Sequence, residues 1–136
     1  MDALERLQEH QAEILAILTT KEPLIGTSAS PDVAGLARAR WALMRALTAY
    51  SLFKHREIFD PLIARAKPSE AHRLLRMKRA CQDLGDEFRA YVQRWSASDV
   101  ATQWQEYQPV ARAMVARIRS HMAREQAEVA AVLGKT

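Results

Sequence analysis

Apolar side chains recur along most of the chain at intervals of three, four and seven, the spacing that gathers residues on one face of a helix at about 100° per residue. Leu7, His10, Ile14 and Ile17 share one side of a first segment, and Met44, Ser51, Leu52, His55, Phe59 and Leu62 cluster in a second. Met77, Cys81, Leu84, Phe88, Tyr91 and Trp95 form the stripe of a third, and Met114, Ile118, His121, Glu125, Val129 and Val132 that of a fourth. The breakers fall between these segments. A first helix over residues 2–21 is expected to stop at Glu22-Pro23, because the residue before proline avoids the α region. Thr27-Ser28-Ala29-Ser30 reads as a loop, and Ser30-Pro31-Asp32 as a helix start with serine at the cap and proline in the first turn. The second helix runs toward Ala66, with Asp60-Pro61 kinking or breaking it, and Lys67-Pro68-Ser69 closes it and opens the third, which continues to about Trp95. Ser96 to Asp99 is a connector with Asp99 as a cap. A short helical turn to Tyr107 follows, and Pro109 opens a fourth long helix ending at Gly134. Rods of about 30–40 Å joined by short connectors predict one all-α domain over residues 1–136, an up-down-up-down antiparallel four-helix bundle.

Composition points the same way. Only 4 Gly and 5 Pro interrupt 136 residues, and Ala, Leu and Arg far outnumber the β-branched residues that strands favour. A hydrophobic content of 49% is enough for a core and excludes intrinsic disorder. One cysteine, Cys81, excludes an internal disulfide and any cysteine-built zinc site. The absence of a signal-peptide layout and of a long apolar run leads us to expect a cytoplasmic protein with no membrane association. The formal charge of +4 comes from interspersed cations, so nucleic acid is not an expected partner.

The polar chemistry lies on the apolar stripes. His10 falls near the edge of the first stripe, His55 near the middle of the second, and His121 on the fourth with Glu125 one turn away. His72 falls well off the third stripe, beside Arg73, Arg76 and Arg79. A carboxylate and imidazoles inside a core need partners, since each unsatisfied group costs a few kcal/mol. Two answers are open: a metal ion, which neutral imidazole and carboxylate would suit, or a hydrogen-bonded network completed by water.

The order of these features resembles the hemerythrin-like, or HHE cation-binding, family. Leu7-Gln8-Glu9-His10-Gln11-Ala12-Glu13-Ile14 is similar to that family's first motif, and Phe53-Lys54-His55-Arg56-Glu57-Ile58-Phe59-Asp60-Pro61-Leu62 to its second. His121-Met122-Ala123-Arg124-Glu125-Gln126-Ala127-Glu128-Val129 resembles its last. The resemblance implies non-haem iron held by histidines and bridging carboxylates. Carried over residue by residue, His10, His55 and His121 match ligand positions. Phe59 stands where a bridging carboxylate would follow the second histidine, and Gln126 where another would follow the last, with Glu125 one position early. The third helix offers Met77 and Cys81 in phase, or His72 and Arg76 out of phase, where the family uses two histidines. What the resemblance implies is therefore a reduced site holding iron or another divalent metal on His10, His55, His121 and Glu125, with His72 and Cys81 as secondary candidates. It would serve metal binding or sensing rather than di-iron dioxygen binding.

The alternative is a metal-free bundle that works through its surface as an interaction or regulatory module. Arg73, Arg76, Lys78 and Arg79 form the most basic stretch, either a solvated face or a docking patch for an acidic protein partner. Phe53 falls opposite His55, which makes an exposed apolar spot and a homodimer contact there conceivable alongside a monomer. Trp41, Trp95 and Trp104 are expected in the core or between helices. No nucleophile, phosphate loop or substrate pocket signal points to an enzyme.

Overall fold

The computed structural model describes residues 2–26 and 31–134, and these are helical almost throughout. The elements are α1 (Ala3–Gly26), α2 (Val33–Lys54), a π-helical turn (His55–Phe59), α3 (Asp60–Arg65), α4 (Pro68–Ser96) and α5 (Trp104–Val132). No strand occurs among the described residues.

Three boundaries differ from those expected, each for an identifiable reason. The first helix does not stop at Glu22-Pro23 but continues through Pro23 to Gly26. The lost backbone donor is offset by the last turn's burial, for Ile25 is buried and its carbonyl accepts from Gln108 Nε2 at 2.8 Å. At Asp60-Pro61, where a kink or break is expected, the helical rod is interrupted by a π turn over His55–Phe59 and continues, with Pro61 in the first turn of α3. The last helix starts at Trp104 as one element and carries Pro109 inside it. Trp104 and Tyr107 are both buried and anchor that first turn.

At the start of α2 the cap is Asp32, whose carboxylate accepts from Gly35 N at 2.9 Å. The expected cap at Ser30 lies outside the described residues. A Cβ on Gly35 would meet the Asp32 carboxylate, so a larger residue there would require the capping side chain to shift. Asp99 accepts from Ala101 N at 3.1 Å and organises the turn that leads into α5.

Each long helix packs on others: α1 on α2 and α5, α2 on α4, and α4 on α5. The cross-helix pairs run in opposite directions. Gln11 meets Tyr50 while Arg6 meets Phe53 and Glu57 across α1 and the second helical rod. Arg117 meets Glu87 and Arg94 meets Glu106 across α4 and α5. The core joins Leu7, Ile14 and Leu18 of α1 to Leu36, Leu43 and Phe53 of α2, and the whole stripe from Met77 to Trp95 of α4 to Ile118 and Val129 of α5.

The second rod is rotated relative to its expected phase. Its buried face is Leu36, Arg40, Leu43, Ala46, Tyr50, Phe53 and Lys54, whereas Leu52 is 49% exposed and His55 only half-buried. Phe53 is therefore not an exposed apolar spot. It packs against His10 with ring centroids 5.0 Å apart, and the Arg6 guanidinium covers it at 4.8 Å. Trp41, expected inside, is 48% exposed, since it shares the outward face with Leu52. Among the described residues no helix is long and apolar enough to cross a membrane.

Candidate functional site

Five polar side chains from three helices meet in the interior. Gln11 comes from α1, Tyr50 and Lys54 from α2, and His121 and Glu125 from α5, all of them buried. The pairs on α2 and α5 are each four residues apart, so two successive turns of each helix face the same spot. Lys54 Nζ donates to Glu125 Oε1 at 2.7 Å, and the Tyr50 hydroxyl donates to the same oxygen at 2.6 Å. Gln11 Nε2 donates to Tyr50 Oη at 2.8 Å and to the Met122 carbonyl at 3.0 Å. The ammonium also lies 3.8 Å from the centre of the Tyr50 ring, a cation–π contact in a desolvated setting.

The second carboxylate oxygen is treated differently. His121 Nε2 lies 3.3 Å from Glu125 Oε2, but the two are not aligned for a hydrogen bond, and neither atom has another partner among the described residues. Burial pushes the Glu125 carboxyl upward, and the His121 imidazole and Lys54 ammonium more than offset it, holding the carboxyl at about 2. Burial and the adjacent Glu125 charge push the Tyr50 hydroxyl far up, so Tyr50 is a donor at every working pH.

This network abuts a cavity of about 250 Å³ between α2, α4 and α5. Met44, Leu47, Leu84 and Phe88 supply apolar wall, Cys81 and Met122 supply sulfur, and Tyr50, Lys54 and His121 reach its lining. Cys81 Sγ lies 3.6 Å from Ser51 Oγ on the same wall. His55 also lines the cavity, packed edge-on against Phe59 at 5.3 Å; burial, the largest cause, lowers its proton affinity, as does the nearby Lys78 charge.

The candidate ligands read from sequence divide accordingly. His121 and Glu125 come together, as their one-turn spacing requires. His10 is half-buried and its ring is taken up by Phe53 and by Tyr50, 5.9 Å away. His72 is exposed, and Cys81 is buried at the cavity wall. Among the described residues no three His, Cys, Asp or Glu side chains are grouped so as to hold a metal ion. Phe59 is fully buried with apolar neighbours, and Gln126 is half-buried. Compared with protein-family models, with curated proteins and with solved structures, the chain matches none.

Sequence reasoning missed Gln11, Tyr50 and Lys54. The signal was present in the spacing: phased on Leu36, Leu43 and Ala46, α2 carries Tyr50 and Lys54 inward. The basic stretch is also thinner than its sequence suggests. Arg76 and Arg79 are exposed, but Lys78 Nζ is paired with Asp60 Oδ1 at 2.8 Å.

Proposed function

We propose that this chain is a binding protein, an up-down-up-down antiparallel bundle that takes a small, mainly apolar molecule between α2, α4 and α5. The observation that carries this reading is the cavity of about 250 Å³, apolar along its walls and ending on a buried polar network. A dry cavity of roughly 150 Å³ accommodates a benzene-sized guest, so this one suits a substituted ring or a bicyclic molecule. Cavity-lining His121, whose Nε2 lacks a hydrogen-bond partner among the described residues, offers a polar anchor for such a guest. The oppositely running cross-helix pairs and short connectors support the antiparallel arrangement.

The hemerythrin-like order of motifs is compatible with this reading if the metal's role has been replaced. Lys54 supplies, at 2.7 Å from Glu125, the positive charge that a carboxylate in a bundle core requires. A cation bound through Glu125 Oε1 would have to displace that ammonium. The reading is accordingly of a metal-free bundle of hemerythrin-like descent, with the guest in place of the ion.

The test is a fluorescence titration with 2-naphthol, an aromatic bicycle with one hydroxyl, on purified protein whose metal content is measured in parallel. At ordinary ligand efficiencies a guest of this size binds with a Kd of about 100 µM or tighter. Leu84→Trp, which fills the cavity from α4, should weaken binding at least tenfold while the protein stays helical. Stoichiometric iron, zinc or manganese that survives in Lys54→Met and is lost in His121→Ala would replace this reading with the metal one. The absence of saturable binding, or binding indifferent to Leu84→Trp, would remove the cavity from the argument.

A further inference from the structure

The interior holds more positive charge than negative. Of the 16 acidic residues only Glu125 is buried, and Lys54 already pairs with it. Two more cations, Lys21 of α1 and Arg40 of α2, are 0% and 4% exposed, and among the described residues neither is paired with a carboxylate. Other carboxylates are engaged elsewhere: Glu22 pairs with Arg119, Asp32 caps Gly35, Glu106 pairs with Arg94 and Glu87 with Arg117. The connector between α1 and α2 contributes Thr27, Ser28, Ala29 and Ser30, none of which carries a charge.

Lys21 Nζ donates to Tyr91 Oη at 2.9 Å, and that hydroxyl lies 3.0 Å from Tyr107 Oη. Trp95 and Trp104 both pack on the Tyr107 ring, and among the described residues the buried indole Nε1 of each has no hydrogen-bond partner. Arg40 Nε and Nη1 are likewise buried and unpartnered among the described residues. Burial first, and then the Arg40 charge, lowers the Lys21 ammonium to about 8. An arginine fork, an ammonium and unused indole N–H groups form the donor set that recognises an oxyanion, and an unpaired buried charge is among the least favourable features a core can contain.

We infer that this end of the helical assembly is a binding site for a small oxyanion, held by Arg40 and Lys21, with the Tyr91–Tyr107 pair and the two indoles around it. The site is separate from the cavity beside His121 and does not depend on its occupant.

The experiment is a thermal melt and an isothermal titration at pH 7 and constant ionic strength, with sodium chloride replaced stepwise by phosphate, sulfate or acetate. A saturable rise in Tm and a saturable heat are expected with at least one of the three, at millimolar concentration or below. Response to phosphate and sulfate alone assigns a tetrahedral oxyanion, and response to acetate assigns a carboxylate. Arg40→Met and Lys21→Met should each weaken the response at least tenfold. Both should fold and be no less stable than wild type in chloride, since each removes a repelling buried charge. If either fails to fold, the wild-type titration decides. No saturable response to any of the three anions, or a response retained in both variants, would overturn the proposal.

Discussion

Lys54 Nζ and Glu125 Oε1 are 2.7 Å apart, and the two side chains are 2% and 3% exposed. Removing one partner strands the other charge in the core, which costs about 3–5 kcal/mol, whereas removing both leaves a cavity that apolar atoms can fill. Lys54→Met and Glu125→Leu should each be strongly destabilising in urea. The double variant should recover most of the loss, and a double-mutant cycle measures the coupling directly. Independent, additive losses would mean that the pair is not energetically linked.

Acid should unfold the protein through the same carboxylate. Glu125 is held at about 2 in the folded state against an ordinary value of 4.5. Its folded-state value is depressed, so its contribution is complete above pH 4.5 and disappears as the pH falls toward 2. A difference of that size corresponds to stability on the order of 3 kcal/mol. Urea midpoints measured from pH 6 to pH 2.5 should fall more steeply for wild type than for Glu125→Gln.

Lys21 predicts the opposite slope at the alkaline end. Its ammonium is lowered from 10.5 to about 8, so between those values the unfolded chain holds a proton that the folded one has released. Stability should therefore rise as the pH climbs from 8 to 10.5, by an amount on the order of 3 kcal/mol, and stay flat with respect to this group below pH 8. Lys21→Met should abolish the rise. Comparing the two proteins cancels the background from other lysines and tyrosines.

Phe53 and Trp41, both aromatic and both on α2, should behave differently on truncation. Phe53 is buried against His10 under Arg6, and Phe53→Ala should cost about 3 kcal/mol or more. Trp41 is 48% exposed, and Trp41→Ala should change stability by about 0.5 kcal/mol or less. Equal effects would mean that the phase of α2 described above is wrong.

That phase also marks the limit of what the sequence reveals. The stripe of α4 from Met77 to Trp95 is buried at all six expected positions, because apolar side chains there repeat without a competing signal. His121 and Glu125 were legible for the same reason, lying among Ile118 and Val129. On α2 the inward face includes Arg40 and Lys54, which hydropathy assigns to the outside, so the pattern read from the apolar residues settled on Leu52 and His55 instead. The charges could be placed inside only once their partners on other helices were known: Glu125 lies 71 residues from Lys54 in sequence. The prolines at 23 and 109 misled for a related reason, since burial of Ile25, Trp104 and Tyr107 outweighs the local cost of each ring.

The π turn at His55–Phe59 has a geometric consequence beyond its five residues. Its closing bond runs from Asp60 N to the carbonyl of His55, one residue further than an α-helix allows. Everything downstream is thereby turned by one helical step against the rod before it. Ile58 and Phe59 are swung fully inward, and Asp60 emerges on the side where Lys78 can reach it. Cutting a single residue from the turn would restore α-helical bonding along the rod and undo that offset. The histidine beside the cavity would keep its place, while the following segment down to Arg65 would present a different flank to α4.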